Sequence, residues 1–345
     1  MERIRTLITE LLGIPSPIIL APMAFGATAE MSTIVYQAGG FGMIPAGFDS
    51  STQLKEYLGA ARKSLSVAED DAIPVGVGFI GWILDKTEPS DDPRLPAVLA
   101  EKPAAIWLAF GSDLGKYVRQ IRDFDAARTD GHRTLIFTIV NDVEGALRAA
   151  NEWEVDVLVA QGIEAGGHGG SEALPLLSLV PAISAAFPPS ACPPIVAAGG
   201  VSTGAQIASL LVLGASGVAL GTRFLYTHES CYTEEMKEVL VAAPWGATAR
   251  GLMFDEVNGT MGWPPKHDGR AIANAIVRDW EEGLALGARI ERFEGGRARG
   301  EKDRLVIWAG VGVGMTDEIR ALKDVFEELH CDAVKALRVS SALLA

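Results

Sequence analysis

The chain has 345 residues, of which 48% are hydrophobic and 21% are charged, and this composition predicts one large folded domain with a smaller subdomain. A formal net charge of −14 argues against a nucleic-acid partner, because binding to phosphate backbones requires a basic surface. Three scattered cysteines, Cys192, Cys231 and Cys331, argue against a disulfide framework or a paired-cysteine metal site and indicate a reducing compartment.

The N-terminal residues alternate charged side chains with leucine and isoleucine, unlike the uninterrupted apolar core of a secretory signal. The longest nearly uncharged run, Ala205–Leu220, is too short and too rich in glycine to span a bilayer. We therefore expect a cytoplasmic protein with no membrane partner. The sequence leaves the oligomeric state open.

Eight short apolar runs follow one another along the first two thirds of the chain, with helical segments between them. Strands of a parallel sheet that is buried on both faces have this continuously apolar character. The spacing of the runs suits a strand, a loop and a crossover helix, so we predict an α/β fold with a closed (β/α)8 TIM-type barrel. An open doubly wound sheet is the alternative. The runs are Pro17–Ala24, Phe41–Gly47, Ile73–Gly81, Ala105–Gly111, Thr134–Asn141, Asp156–Gly162, Ile195–Val201 and Gly217–Phe224.

Capping signals support the helices between these runs. Asn141 and Asp142 precede the predicted helix 143–150, and Ser202 and Thr203 precede the predicted helix 204–213. Side chains of these types accept hydrogen bonds from the free N–H groups of a first helical turn.

The chain continues well beyond the eighth run, which predicts a smaller, mostly helical C-terminal appendage. We divide the chain into a ligand-binding barrel (1–227), a helical or loop appendage on the ligand side (228–305) and C-terminal helices that pack back on the barrel (306–345). Helical stretches are expected near 271–287 and 316–329, and an exposed loop at 291–302. Met261 and Trp263 are candidates for a lid, with simple packing as the alternative role.

The first and third runs carry residues that suit contact with a flat ligand. The first run ends in Ala21, Pro22 and Met23, where the proline cannot donate a hydrogen bond to a neighbouring strand. The third run has Gly78 where a larger side chain would block the barrel mouth. We therefore expect these four residues to border a bound ring system.

The sixth run ends in a loop with five glycines, one amide, one carboxylate and one imidazole. Gln161 can donate and accept hydrogen bonds at once, which suits the polar edge of a heterocycle, and Gly166 and Gly167 bring N–H groups close to a ligand. His168 has a near-neutral pKa by type, so it is a candidate for proton transfer, with a structural role as the alternative. Glu164 is expected to form a salt bridge or, less favourably, to orient His168.

The loops after the seventh and eighth runs predict a phosphate site. Active sites of barrel enzymes lie at the carboxyl ends of the strands, and phosphates commonly bind after strands seven and eight. Unhindered backbone N–H groups are offered there by Gly199, Gly200, Gly221 and Thr222. No GxSxG or HExxH pattern occurs, so hydrolase and metal sites rank low.

These motifs resemble the nitronate monooxygenase family, formerly called 2-nitropropane dioxygenases, which are FMN-dependent (β/α)8 enzymes. The segment at the end of the sixth strand is the most specific part of the resemblance. The segments that carry it are Pro17–Met23, Gln161–His168, Ala198–Val201, Leu220–Phe224 and, more faintly, Trp308–Gly310.

The resemblance implies an oxidoreductase that oxidises alkyl nitronates, and also nitroalkanes, with O2 to a carbonyl compound and nitrite. It implies that Pro22 and Met23 border the isoalloxazine, that Gln161 and Gly166 bind its polar edge and side chain, and that His168 is the catalytic base or anion stabiliser. The FMN phosphate is implied to bind at Gly199, Gly200, Gly221 and Thr222.

Two other hypotheses remain open, and one departure from the family pattern motivates the first of them. Members often have an asparagine near the end of the third strand, where this chain has Gly76-Val77-Gly78-Phe79. The first alternative is an FMN-dependent reductase of quinones or activated alkenes with NAD(P)H as the reductant, and the second is a non-catalytic flavin-binding module.

Overall fold

Eight parallel strands close into a barrel in the order β1-β2-β3-β4-β5-β6-β8-β9 in a computed structural model that describes residues 1–188 and 191–343. Seven of the eight predicted runs contain one whole barrel strand and the run Ala105–Gly111 overlaps β4, which begins at Pro103, so the predicted (β/α)8 fold is confirmed. The strands in chain order are β1 Ile18–Leu20, β2 Phe41–Pro45, β3 Ile73–Ile80, β4 Pro103–Ala109, β5 Leu135–Val140, β6 Val157–Gln161, β7 Gly167–Gly170, β8 Ile195–Ala198, β9 Gly217–Leu220, β10 Thr248–Gly251 and β11 His267–Ile272.

Helices connect and cover the strands. Asp142 caps α7 by accepting a hydrogen bond from the N–H of Gly145, and Thr203 forms a capping box with Gln206 at the start of α9, so both predicted caps are confirmed. The helices are α1 Leu7–Leu12, α2 Ala29–Gln37, α3 Ser51–Ser64, α4 Gly81–Thr87, α5 Arg94–Ala100, α6 Gly115–Ala126, α7 Val143–Asn151, α8 Leu176–Ala185, α9 Gly204–Val212, α10 Thr222–Leu225, α11 Glu234–Ala242, α12 Met253–Asn258, α13 Ala275–Glu281, α14 Leu286–Ala298 and α15 Leu322–Ser341, with a 3-10 turn at Lys302–Arg304.

The interior of the barrel is filled by side chains and is not an open channel. Phe137 lies between Phe41 and Trp107, with ring centroids 6.5 and 6.2 Å apart and the planes nearly parallel. All three aromatic rings are buried. This stack fills the barrel interior, so a ligand at the strand ends lies against packed side chains.

A second, antiparallel sheet of three strands lies in the order β10-β11-β7. In this sheet His168 of β7 is paired with Gly269 of β11. The glycine-rich loop after the sixth barrel strand therefore does not end freely at the mouth, because half of it pairs with a strand from the C-terminal part of the chain. The sequence analysis did not predict this sheet.

The predicted appendage elements need three corrections. Residues 267–272, partly assigned to a helix, form strand β11, and helix α13 begins only at Ala275. The segment 291–302, expected to be a loop, lies largely in helix α14, which buries Phe293. Helix α15 begins at Leu322 and not near residue 316.

Helix α15 packs against α9 and α2 on the outside of the barrel. A side chain at Gly204 would lie 2.4 Å from the backbone nitrogen of Ala333, so this glycine permits the close contact of α9 with α15.

The division into segments ending at 227 and 305 stays a prediction. Within residues 1–188 and 191–343, no helix is both long and apolar enough to cross a membrane.

Candidate active site

A cavity with about 1400 Å³ of empty space, part of it continuous with solvent, lies at the carboxyl ends of the barrel strands. Ligands of barrel enzymes bind in cavities at this end of the strands. All twelve residues predicted from the sequence line it: Ala21, Pro22, Met23, Gly78, Gln161, Gly166, Gly167, His168, Gly199, Gly200, Gly221 and Thr222.

His168 is paired with a buried carboxylate that the sequence analysis missed. The Nε2 atom of His168 lies 3.0 and 2.9 Å from the Oδ1 and Oδ2 atoms of Asp255, which is on helix α12. The His168 side chain is 10% exposed and the Asp255 side chain 0%. Asp255 therefore fixes the protonated nitrogen as Nε2, which leaves Nδ1 as the acceptor nitrogen of the neutral ring.

Two further donors hold the Asp255 carboxylate. The Thr260 hydroxyl donates to Oδ1 over 2.7 Å and the Trp263 indole N–H donates to the same oxygen over 3.0 Å. Both oxygens thus lie near His168 Nε2, and Oδ1 in addition accepts from Thr260 and Trp263. Donors on all sides suit an ionised carboxylate, which is an acceptor only.

Two tryptophans enclose the imidazole. The rings of His168 and Trp263 are stacked, with centroids 3.4 Å apart and planes at 7°, and Trp308 lies against His168 with centroids 4.5 Å apart. Trp263 was a candidate for the lid, and here it both covers His168 and binds its partner Asp255. Met261, the other lid candidate, makes no such contact, because its side chain is exposed and does not line the cavity.

Burial lowers the pKa of His168 below its ordinary value of 6.5, although the hydrogen bond and the negative charge of Asp255 oppose the shift. Desolvation disfavours the charged imidazolium, which explains the direction. A lowered pKa keeps the ring neutral at pH 7. The neutral ring, with Nε2 bound to Asp255, can accept a proton at Nδ1.

Arg250 ties strand β7 to the second sheet and so fixes the position of His168. Its guanidinium pairs with Asp268 and donates to the carbonyl oxygens of Gly169 and Gly170 over 2.9 and 3.2 Å. These contacts satisfy carbonyl groups of a glycine segment that has few side chains of its own. The imidazole is consequently held on a rigid strand.

Gln161 sits at the base of the same loop and is 7% exposed. Its Nε2 donates to the carbonyl of His168 over 3.0 Å, and its Oε1 accepts from the amide of Asn141 over 3.2 Å. An amide group has one further N–H and one further lone pair. Gln161 therefore positions the histidine segment and retains hydrogen-bonding capacity toward the cavity.

Two of the predicted glycines are needed for contacts within the protein. A side chain at Gly78 would lie 2.4 Å from the Pro22 ring, and one at Gly166 would lie 2.2 Å from the backbone nitrogen of Gly310. Both residues still line the cavity, but the space beside them is filled by protein. Gly167, in contrast, has φ +67 and nothing within 4 Å of an added Cβ.

The loops after β8 and β9 present unpaired N–H groups to the cavity. The backbone N–H groups of Gly200, Gly221 and Thr222 donate to no acceptor among residues 1–188 and 191–343. The Thr222 hydroxyl accepts a hydrogen bond from the N–H of Gly310 over 2.9 Å, which leaves its own proton free to donate. Such an arrangement suits an anionic group with several oxygens.

Glu164 has a different role from either expectation. Its carboxylate accepts from the backbone N–H of Leu176 over 2.9 Å, at the start of α8. It therefore caps a helix whose preceding residue, Pro175, offers no side-chain cap. The predicted salt bridge of Glu164 is wrong. The alternative prediction, that Glu164 orients His168, is also wrong, because Asp255 orients the imidazole.

Sequence reasoning could have found Asp255 only by a weak signal. The signal is that an acid directly follows the apolar run Leu252-Met253-Phe254, and the adjacent Glu256 shares it. The partner of Asp255 lies 87 residues earlier in the chain. Thr260 carries no comparable signal.

The sequence matches one protein family over nearly its whole length. A family model for nitronate monooxygenase matches residues 5–332. A nitronate monooxygenase of Neurospora crassa is 31% identical over 95% of this chain and 92% of its own length.

Solved structures share the fold. FabK from Thermotoga maritima has a TM-score of 0.76 and 26% identity, covering 99% of this chain and 98% of its own. A nitroalkane oxidase from Streptomyces ansochromogenes has a TM-score of 0.77 and 23% identity, covering 97% and 99% of the two chains. The second likeness supports the barrel fold alone.

Proposed function

Since the chain belongs to the nitronate monooxygenase family and is an oxidoreductase, we propose that it oxidises alkyl nitronates with O2 to a carbonyl compound and nitrite. The observation that carries the proposal is the buried pair of His168 and Asp255 beside a mostly apolar cavity. Nitroalkanes are the second proposed substrate class, after loss of an α-proton.

The family makes this chain a flavoprotein, and we propose that its flavin is FMN. When bound, the flavin supplies the electron transfer from the nitronate to O2. The free N–H groups of Gly200, Gly221 and Thr222 fit a terminal phosphate, and Gly199 adjoins them. The residues that would border the ring are Ala21, Pro22, Met23, Gly78, Gln161, Gly166 and Gly167.

We propose that His168 acts as the base for nitroalkanes. Its Nδ1 takes the α-proton, the C–H electron pair becomes part of the nitronate, and the resulting imidazolium lies between the nitronate and Asp255. Asp255 holds Nε2–H and stabilises the positive charge that develops on the ring. A substrate that arrives as the nitronate needs no such proton removal.

The test is an absorbance spectrum of the purified protein, followed by titration without oxygen of separate samples, one with NADPH and one with ethyl nitronate. Flavin bands that bleach with the nitronate, followed by nitrite formation in air, support the proposal. Rapid bleaching by NADPH with none by the nitronate would favour the reductase hypothesis instead. An uncoloured protein that binds no added FMN would contradict both.

The His168→Ala variant separates the base from the rest of the site. Turnover of nitroethane should fall by about 10²–10⁴-fold, the usual contribution of a general base, while ethyl nitronate should be affected far less. Full activity of the variant on nitroethane would remove His168 as the base. Retained FMN binding in the variant, measured from the spectrum, would show that the site is intact.

A further inference from the structure

Aromatic side chains cover the cavity wall from the solvent opening to His168. The rings of Phe25 and Phe48 are stacked with centroids 5.9 Å apart, and their side chains are 66% and 48% exposed. Phe110 lies 5.4 Å from Trp263, which is stacked on His168. We call the lining aromatics the aromatic belt, which consists of Phe25, Phe48, Phe110, Trp263 and Trp308.

The belt is continuous because Trp82 supports it from behind. The Trp82 ring lies 6.0 Å from Phe48 and 5.6 Å from Trp263, edge to face in both cases. A side chain at Gly262 would lie 2.8 Å from the Trp82 ring, so the segment before Trp263 packs directly on it. Edge-to-face aromatic contacts of this kind fix ring orientation.

Two belt residues have a backbone conformation that is unfavourable for their residue type. Phe25 has φ +62 and Phe110 has φ +59, in the left-handed region that bulky side chains rarely adopt. The remaining non-glycine residues of the described chain in this region are polar: Ser66, Lys102, Glu154 and Lys266. Strain that persists at a cavity wall is a feature of functional sites.

The lining of the cavity also lacks a formal charge. Among the described residues that form it, none is Lys, Arg, Asp or Glu, and His168 is its one group that can become cationic. Lys86 and His267 contact Trp82 and Phe110 respectively, but neither lines the cavity. His168 can therefore neutralise one negative charge of a substrate, and a second anionic group would be left unpaired at a cost in binding.

Part of the belt lies away from the glycine loops that suit a phosphate. Phe110 follows β4, which lies across the closed ring of strands from β9, and Phe48 follows β2, which pairs with neither β8 nor β9. Phe25, in contrast, follows β1, which pairs with β9, and Trp308 is two residues before Gly310, whose N–H donates to Thr222. The part of the belt formed by Phe48, Phe110 and Trp263 thus remains available to a second ligand.

We infer that this site is specific for nitronates that carry an uncharged aromatic or bulky apolar substituent, and that it discriminates against nitronates with a second anionic group. The inference rests on the proposed function. The substituent packs against the aromatic belt, which extends from the mouth to His168. Burial of one phenyl ring predicts a roughly ten- to hundredfold gain in kcat/KM.

The experiment compares three nitronates with the flavin-loaded protein, using oxygen consumption to measure kcat/KM. The substrates are the nitronates of phenylnitromethane, nitroethane and 3-nitropropionate. We expect the phenyl compound to exceed the 3-nitropropionate compound by at least about tenfold. Equal values, or a preference for the 3-nitropropionate compound, would overturn the inference while leaving the oxidation of nitronates intact.

Substitutions in the belt test the physical cause. Phe48→Ala should lower the ratio of phenyl to ethyl kcat/KM, and Phe48→Lys should raise kcat/KM for the 3-nitropropionate compound relative to the phenyl compound. Trp280→Ala is the matched control, because this aromatic side chain is 51% exposed on α13 and does not line the cavity.

Each outcome has a defined meaning. Unchanged substrate ratios in both Phe48 variants would overturn the inference. If the flavin-loaded wild-type protein oxidised none of the three nitronates, the proposed function would be overturned and the inference with it. Because ethyl nitronate has no substituent for the belt, its turnover alone separates these two failures.

Discussion

The substitution Asp255→Asn tests the most specific element of the site, the tautomer of His168. In the structure, Oδ1 of Asp255 accepts from Thr260 and Trp263 and lies 3.0 Å from His168 Nε2, while Oδ2 lies 2.9 Å from Nε2. An asparagine that keeps its oxygen toward the two donors places its NH2 group at the position of Oδ2, toward Nε2. We expect Nε2 to accept from this NH2 group, so that the ring proton moves to Nδ1.

The expected loss follows from that proton shift. With Nδ1 protonated, the ring cannot remove the α-proton, so kcat/KM for nitroethane should fall by about 10²–10⁴-fold, equal to roughly 2.7–5.5 kcal/mol of transition-state stabilisation. Ethyl nitronate, which needs no proton removal, should lose far less. The ratio of the two substrates is measured by oxygen consumption under saturating FMN.

The control is Thr260→Val, which removes one donor but leaves the carboxylate in place. It should change the nitroethane to ethyl nitronate ratio much less than Asp255→Asn does. Thermal unfolding of each variant shows whether the fold is retained. Equal losses of Asp255→Asn on both substrates, in a folded and flavin-loaded protein, would refute the argument from the tautomer.

Further predictions concern pH, the glycine loop and the helix cap. Because burial lowers the pKa of His168, kcat/KM for nitroethane should decline only as pH falls through a midpoint below 6.5, and a midpoint above that value would contradict it. Gly200→Ala should lower the free energy of unfolding by about 1–2 kcal/mol, since φ is +67 and the new Cβ would lie 2.9 Å from Glu164, and should weaken FMN binding in a spectral titration. Glu164→Ala should cost about 0.5–2 kcal/mol in urea unfolding by loss of the cap on Leu176, without a selective loss on nitroethane.

The barrel could be predicted because its signals are local. Each strand is a short apolar run buried on both faces, and helix caps such as Asp142 and Thr203 act within three residues. The cavity followed from the same pattern, since the carboxyl ends of parallel strands meet at one end of a barrel. Predicted residues at or after the ends of five different barrel strands could thus be assigned to a single site.

The second sheet and the partner of His168 could not be predicted, because both depend on contacts between distant parts of the chain. Strand β7 is Gly167-His168-Gly169-Gly170, which has no intrinsic strand preference and pairs only because β11 is brought beside it. In the sequence, Asp255 does not differ from an ordinary exposed acid of a helix, and only the fold buries it. The assignment of Glu164 failed for a similar reason, since its partner is a backbone N–H and not a charged side chain.

The pairing of β7 with β11 divides the chemistry between two parts of the polypeptide. The phosphate-type glycines and the ring-bordering residues belong to the barrel, whereas the carboxylate, hydroxyl and indole that set the protonation of His168 all lie within residues 255–263. An exchange of this one segment would therefore change the base while leaving the cofactor end unchanged. Acid–base character and cofactor choice can diverge independently in such a scaffold.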